Sequence, residues 1–161
     1  MYCIALSLKG SSNKECFEIA QKTIEKNNFS IIEKFHMTLM LTEEEPSEVL
    51  IQEIVAVINN HKANKVSCWK ILDGQSTEFK YLTIELSESK LTNAIDILRK
   101  KYMKNSYFKM VPHISLVKTV QEMSMKDLVL KWGSHPPMKE ISFQDIIVFD
   151  NNKDIIAKYP I

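Results

Sequence analysis

The stretch 35–41, FHMTLML, has the apolar character of a buried β-strand, yet His36 and Thr38 interrupt it two residues apart. Side chains alternate across a strand, so residues i and i+2 share one face. The pattern therefore predicts a strand with His36 and Thr38 on one face and the apolar residues on the face that meets the core. Those apolar residues are Phe35, Met37, Leu39 and Leu41.

The second half of the chain contains the same pattern of a histidine followed two residues later by a hydroxyl residue. Residues 111–118, VPHISLVK, predict another strand, in which His113 and Ser115 share a face while Ile114 and Leu116 take the other. One His-x-hydroxyl-Leu pattern in a strand is a common half-exposed polar pair. Two copies, HMTL and HISL, one in each half of the chain, indicate a diverged internal repeat with a function.

Imidazole and hydroxyl groups suit chemistry at a phosphodiester. An imidazole gives or takes a proton near neutral pH, and a hydroxyl donates a hydrogen bond to an anionic oxygen. If the two copies face each other, one histidine removes a proton from the attacking hydroxyl or water and the other protonates the leaving oxygen. Thr38 and Ser115 would then hold the non-bridging oxygens. Which histidine is base and which is acid stays open.

The rest of the chain predicts a single α+β domain over residues 1–161. Strands are predicted at 2–8, 66–72 and 79–86, with a closing hairpin around Asn151 and Asn152. Helices are predicted at 13–27, capped by Ser12, then after Pro46, at 91–102 and at 124–132. The predicted order is β-α-β-α-β-β-α-β-α-β-β, which indicates α+β or α/β layers around one core.

Because it contains HMTL and HISL, the chain resembles the 2H phosphoesterase superfamily, also called LigT-like, whose signature is a pair of His-x-Thr/Ser motifs. The resemblance implies a bilobed α+β fold, with two pseudo-symmetric lobes of sheet and helix around a central cleft lined by both motifs. It implies metal-independent cleavage of 2′,3′-cyclic phosphates, 2′-5′ oligoadenylates or cyclic oligonucleotides. It assigns His36 and His113 as the catalytic pair and Thr38 and Ser115 as phosphate holders.

A finer resemblance covers VSCWKILDGQSTEFKYLTIELSES, which is similar to viral and phage members that degrade the cyclic oligonucleotides of antiviral immunity. It implies that Trp69 and Tyr2 stack on bases, a contact worth about 1–3 kcal/mol per base. The alternatives are a core tryptophan whose N–H is hydrogen-bonded and a tyrosine near a fraying terminus.

Two lysines share sequence parity with the histidines. If the strands extend far enough, Lys34 and Lys109 contact the substrate phosphate; otherwise they are solvated surface lysines. Tyr107 and Phe108 precede the second motif and either line the cleft or pack in the core.

Composition narrows the function classes. A net charge of +1 gives no global indication of duplex DNA or an anionic membrane as partner. Three widely spaced cysteines favour a reducing compartment, and no signal peptide is recognised, so we expect a cytoplasmic protein, in the host cell if it is viral. The sequence offers no HExxH, no HxH and no phosphate-cradling glycine loop, so we expect neither a metal nor another cofactor.

The sequence thus predicts a monomeric phosphodiesterase acting on a small signalling nucleotide, such as a cyclic dinucleotide or a 2′-5′ oligoadenylate, to evade host immunity. One alternative is an enzyme that opens the 2′,3′-cyclic phosphates of short RNA ends. Another is a nucleotide-binding module that has the fold without turnover.

Overall fold

The computed structural model describes residues 1–23, 29–74, 79–119 and 125–161. The elements run in the order β1 (Tyr2–Leu8), α1 (Gly10–Thr23), β2 (Phe29–Ile31), β3 (His36–Thr42), α2 (Glu48–Ile58), β4 (Ala63–Asp73), β5 (Lys80–Leu86), α3 (Lys90–Met103), a 3-10 turn (Lys104–Ser106), β6 (His113–Thr119), α4 (Met125–Trp132), β7 (Glu140–Phe149) and β8 (Ile155–Pro160). The predicted α+β class is confirmed.

The strands form one sheet that returns on itself. The pairing order is β1-β3-β6-β5-β4-β7-β8, and β7 also pairs with β1, so six strands close a ring. β2 adds to the free edge of β6. Every pairing between described strands is antiparallel. The sheet therefore has two three-stranded halves, β7-β1-β3 and β4-β5-β6, which are joined through β3–β6 and β4–β7.

The element order contains a repeat that explains these halves. Residues from β1 to β4 and residues from β5 to β7 each run strand-helix-strand-helix-strand, apart from the short β2. The last strand of each repeat crosses over: β4 pairs with β5, and β7 pairs with β1. Each half of the sheet is thus completed by a strand from the other repeat.

One apolar core lies between the sheet and the helices. It contains the inward-facing residues of the motif strands, such as Met37 and Ile114, which are both fully buried. α1 adds Cys16 and Ile19, and the buried faces of α2 and α3 add the residues Leu50, Ile54, Leu91 and Ile95. Burying large apolar side chains contributes about 1.5–3 kcal/mol each, so this core holds the motif strands in place.

Capping groups set two of the helix starts. Ser47, the residue after Pro46, is the N-cap of α2, and its hydroxyl accepts a hydrogen bond from the Leu50 N–H at 3.2 Å. Ser89 and Thr92 form a reciprocal capping box at α3.

The predicted cap of α1 is wrong. The helix begins at Gly10, and Ser12 lies inside it, where its buried hydroxyl accepts a hydrogen bond from the Ser142 N–H. The predicted end of this helix at Asn27 and the predicted start of α4 at Ser124 lie outside the described residues. Within the described ranges, no helix combines the length and apolarity needed to cross a bilayer.

Candidate functional site

The two motifs lie on neighbouring antiparallel strands. Met37 of β3 pairs with Ile114 of β6, and both side chains point into the core. Because the pairing is antiparallel, the flanking positions place His36 opposite Ser115 and Thr38 opposite His113. These four side chains share the opposite face of the sheet, which we call the motif face.

This register puts the histidines on a diagonal. Diagonal neighbours in antiparallel strands lie roughly 7–8 Å apart, with the side chains somewhat closer, which is the span of one phosphodiester group and its hydrogen bonds. The rings interact, since the charge of His113 contributes to lowering the pKa of His36. The structure therefore brings all four predicted motif residues together.

Both imidazoles are held in the same way. His36 Nδ1 lies 2.7 Å from the Lys34 carbonyl oxygen, and His113 Nδ1 lies 2.9 Å from the Val111 carbonyl oxygen. A carbonyl only accepts, so each Nδ1 carries the proton and donates it. Each Nε2 is then the nitrogen left for a substrate, as an acceptor in the neutral ring or a donor in the charged ring.

Each motif ends in a β-bulge. Along β3, the residues paired with β1 pass from Met40 directly to Thr38, so Leu39 is the extra, unpaired residue. Along β6, the residues paired with β5 pass from Val117 directly to Ser115, so Leu116 is the extra residue. The leucine shared by HMTL and HISL is thus the bulge residue in both strands, and bulges of this kind re-aim side chains beside functional sites. The bulge also buries Met40 and leaves Leu41, predicted to be in the core, only half-buried.

The His36 ring packs against apolar side chains. Its ring lies 5.0 Å from the Phe149 ring, between centroids. Ala5 and Ile147 complete a small buried cluster with Phe149 that is separate from the main core. Burial lowers the pKa of His36 below its ordinary value of 6.5; the hydrogen bond to the Lys34 carbonyl opposes this shift, and the charge of His113 adds to it.

His113 has polar neighbours instead. In β5, Glu85 lies directly opposite His113 and Thr83 directly opposite Ser115. In β4, Cys68 and Lys70 pair with Glu85 and Thr83, so they belong to the same face. The two halves of the motif face therefore share a layout and differ in polarity.

Thr38 has a thiol neighbour. Cys3 Sγ lies 3.7 Å from Thr38 Oγ1, and Cys3 lies on the apolar side of the motif face. Burial raises the pKa of the Cys3 thiol, although the hydrogen bond with Thr38 and the charge of Arg99 lower it in part. Cys3 therefore stays a neutral thiol beside the Thr38 hydroxyl.

The two aromatic residues proposed to stack on bases do not lie on the motif face. Trp69 pairs with Ile84, is 3 % exposed and packs in the main core against Trp132, at 6.5 Å between ring centroids. Its Nε1 has no hydrogen-bond partner within the described part of the chain. Tyr2 is half-buried and packs on the main core beside Ile4. Strand alternation places both on the face opposite His36 and His113.

The two lysines are exposed and outside the strands. Lys34 precedes β3, and it contributes its backbone carbonyl to His36. Lys109 precedes β6, and its ammonium pairs with the Glu88 carboxylate at 3.0 Å. A substrate contact by either ammonium therefore stays a prediction.

Sequence reasoning missed Val111, Phe149 and Glu85. Val111 is two residues before His113, as Lys34 is two before His36, so motif spacing alone could have indicated both carbonyls. Phe149 and Glu85 reach the site only through strand pairing, which no local pattern encodes. Among the described residues, no three His, Cys, Asp or Glu side chains are grouped to hold a metal ion.

Comparisons with known proteins bear on the fold. No family model and no curated protein matches the sequence. Solved structures do match. TT0787 of Thermus thermophilus aligns with a TM-score of 0.60 at 11% identity, covering 99% of this chain and 96% of that one. E. coli LigT in apo form gives 0.58 at 11% identity, covering 99% and 95%. Kluyveromyces marxianus Usb1 gives 0.54 at 13% identity, covering 99% and 97%.

These alignments span nearly the whole chain on both sides. They confirm the predicted LigT-like 2H phosphoesterase fold. No resemblance to viral or phage proteins appears among these structures. At this level of identity the likeness establishes the fold alone, so activity has to be argued from the site.

Proposed function

We propose that this protein is a metal-independent phosphodiesterase of the 2H type. The observation that carries the proposal is the arrangement of the two motifs: two imidazoles on a diagonal, each with Nδ1–H anchored to a carbonyl and each beside a hydroxyl from the other motif. This set supplies a base, an acid and two neutral donors around one phosphorus atom.

The two histidines and the two hydroxyl groups each have a role in the reaction. One Nε2 accepts the proton of the attacking hydroxyl or water as the new P–O bond forms. The other Nε2–H gives its proton to the leaving oxygen as the old bond breaks. Thr38 and Ser115 donate hydrogen bonds to the non-bridging oxygens, where negative charge is held. General acid–base catalysis of this kind contributes about 10²–10⁴-fold.

The substrate we propose is a small nucleotide with a 2′-linked or cyclic phosphodiester. Two structural neighbours were solved with nucleotides: E. coli LigT with 3′-AMP and with ATP, and Kluyveromyces marxianus Usb1 with uridine monophosphate. The finer choice, a cyclic dinucleotide or a 2′-5′ oligoadenylate of antiviral signalling, rests on the sequence resemblance around residues 66–89. The placement of Trp69 and Tyr2 removes the base-stacking argument for it.

The second candidate is opening of terminal 2′,3′-cyclic phosphates. The fold shared with LigT and Usb1 favours it, because a cyclic phosphate is a compact group that two diagonal histidines can span. We also propose that the protein is a cytoplasmic monomer that needs no cofactor and binds neither duplex DNA nor membranes. These properties fit either substrate.

A product analysis in excess EDTA separates these possibilities. The panel contains a cyclic dinucleotide, 2′-5′ diadenylate, 2′,3′-cyclic AMP and an RNA ending in a 2′,3′-cyclic phosphate. Cleavage of the first two supports the signalling substrate, and cleavage of the last two alone supports the second candidate. Recovery of every substrate unchanged with stoichiometric protein contradicts the enzyme and leaves a binding module.

A further inference from the structure

Lys118 lies on the motif face but belongs to neither motif. It pairs with Tyr81 of β5, as Ser115 pairs with Thr83, so Lys118 and Ser115 share the face that carries both histidines. The extra residue Leu116 makes this possible, because positions 115 and 118 would otherwise take opposite faces. Lys118 is thus two ladder positions from Ser115, about 7 Å along the strand.

The Lys118 ammonium is held by an aromatic ring. Its Nζ lies 3.9 Å from the centroid of the Phe79 ring, a cation–π contact that leaves N–H groups for an oxygen acceptor. The Glu85 carboxylate on the same face lies 3.8 Å from Lys70 Nζ instead. Among the described residues, no carboxylate forms an ion pair with Lys118.

Hydroxyl residues flank Lys118 on both neighbouring strands. The exposed Ser30 of β2 lies directly opposite it on one side, and Tyr81 of β5 lies directly opposite it on the other. Directly opposed residues have Cβ atoms roughly 4.5–5.5 Å apart. A cation between two hydroxyl residues suits an anionic oxygen, because the ammonium supplies charge and the hydroxyls supply neutral donors.

In the other half of the motif face, the matching position is apolar. Leu41 follows the first motif histidine by five residues, as Lys118 follows the second, and each lies just beyond the bulge of its strand. Leu41 pairs with Cys3, and Phe149 flanks Cys3 on its other side. The motif face is therefore charged beside the second motif and apolar beside the first.

We infer that Lys118 binds a second phosphate of the substrate, next to the scissile phosphodiester on the Ser115 side. The inference rests on the proposed phosphodiesterase activity and narrows its substrates to nucleotides that carry at least two phosphate groups. In that activity Thr38 and Ser115 hold the oxygens of the phosphorus under attack, and Lys118 lies about 7 Å beyond Ser115. This spacing fits the next phosphate of a nucleotide chain rather than another oxygen of the same phosphate. Phe79 is the positioning residue that holds the ammonium there.

The test compares substrates with and without the second phosphate. The cores are 2′-5′ diadenylate, 3′-5′ diadenylate and 2′,3′-cyclic AMP, each made with and without a phosphate at either free end. A cyclic dinucleotide is compared with an analogue whose second phosphate is a neutral methylphosphonate. For the core that wild type cleaves fastest, the charged phosphate should raise kcat/KM about tenfold, mainly through KM. High salt, which screens a half-buried ammonium in part, should reduce this ratio.

Variants assign the ratio to Lys118. Lys118→Met should bring it close to one, because methionine keeps an unbranched stem and loses the charge, whereas Lys118→Arg should keep the ratio. Lys70→Met is the matched control, because the Lys70 ammonium shares the motif face but pairs with Glu85; its ratio should equal that of wild type. Thermal unfolding midpoints show which variants are folded, and Lys118→Gln replaces the methionine variant if that one does not fold.

Phe79 is tested in the same assay. Phe79→Leu should lower the ratio about threefold, the effect of losing a cation–π contact at a partly exposed site. Phe79→Tyr keeps an aromatic ring under the ammonium and should preserve the ratio.

Three outcomes overturn the inference alone. The first is a wild-type ratio of one for every core that is cleaved. The second is a Lys118→Met variant that is slowed equally with and without the second phosphate, which would place Lys118 at the scissile phosphate. The third is a Lys70→Met variant that loses the ratio as fully as Lys118→Met. A wild-type protein that cleaves none of these substrates overturns the proposed function and the inference together.

Discussion

At the scale of single residues, the site depends on where each imidazole carries its proton. The Lys34 and Val111 carbonyls fix both protons on Nδ1 and so direct both Nε2 atoms to the reaction. These are backbone groups, so side-chain substitution at 34 or 111 leaves them in place. Substitution of the motif residues themselves is therefore the way to test the roles of the side chains.

Thr38→Val tests the hydroxyl donors. The valine keeps the shape and strand propensity but cannot donate to a phosphate oxygen. We expect kcat to fall about 10- to 100-fold, the effect of one hydrogen bond to a charged group. Thr42→Val, on the same strand, is the matched control, because the Thr42 hydroxyl is bound to the Glu44 carbonyl. Equal activity of the two variants would contradict the role of Thr38.

His36 also predicts a pH dependence of stability. Its folded-state pKa is lowered below the 6.5 of an unfolded chain, so below pH 6.5 the unfolded state binds more protons. Stability should therefore fall as the pH drops from 7.5 to 5.5, before most carboxylates titrate. His36→Gln should lose less stability over this range when thermal unfolding midpoints are compared. A larger loss in the variant would show that the ring is not held neutral.

The face that each side chain takes was predictable for the motif residues but not for the aromatic residues, for one physical reason. His36, Thr38, His113 and Ser115 follow strict strand alternation between fully apolar neighbours. Trp69 sits in a strand whose two faces are both partly apolar, so alternation did not show which face it takes; pairing with Ile84 places it in the core. Tyr2 likewise takes the core face, which it shares with Ile4.

At the scale of elements, the second motif depends on the loop that precedes β6. The Asp96 carboxylate on α3 accepts from the Tyr107 hydroxyl at 3.0 Å and from the Met110 N–H at 3.1 Å. Burial alone would raise the pKa of Asp96, but these hydrogen bonds and the charge of Lys100 outweigh it, and the pKa is lowered. The loop that ends in Val111 and His113 is thereby tied to a helix.

Asp96→Asn should loosen this connection. The amide keeps the size but loses the charge and one acceptor, so we expect a loss of about 1–2 kcal/mol in the free energy of unfolding. We also expect a lower kcat, because the Val111 carbonyl is less well placed. Chemical denaturation and turnover measure the two effects. Asp127→Asn, on the exposed face of α4, is the control; an equal effect there would contradict the prediction.

Element order was predictable, and element boundaries were less so. Strong hydrophobic periodicity gave α3 and the motif strands nearly as observed. The sequence did not indicate β2, which is three residues long, or the two bulges, because bulges arise from pairing between strands. α1 starts earlier than predicted because the Ser12 hydroxyl accepts a hydrogen bond from the Ser142 N–H of β7 instead of capping the helix.

At the scale of the whole molecule, each half of the sheet needs a strand from the other repeat. β4 completes the half that carries His113, and β7 completes the half that carries His36. HMTL and HISL indicate the repeat in the sequence but not this exchange, since strand order is set by long-range pairing. Neither repeat can close its own half of the sheet.

The exchange predicts one cooperative unfolding transition. Trp69 and Trp132 report on β4 and α4, while far-ultraviolet circular dichroism reports on the whole chain. The two signals should coincide during denaturation, and a fragment of residues 1–73 should not fold. Two separate transitions, or a folded fragment, would contradict the account of exchanged strands.

The most direct test of the central claim is the turnover of one small phosphodiester, in EDTA, by wild type, His36→Ala and His113→Ala at equal concentration. Both histidines act on the same phosphorus in this account, so each variant should lose at least about 100-fold in kcat. Thermal unfolding should show both variants folded. If either folded variant turns over this phosphodiester at the wild-type rate, the two imidazoles do not form one site and the account is wrong.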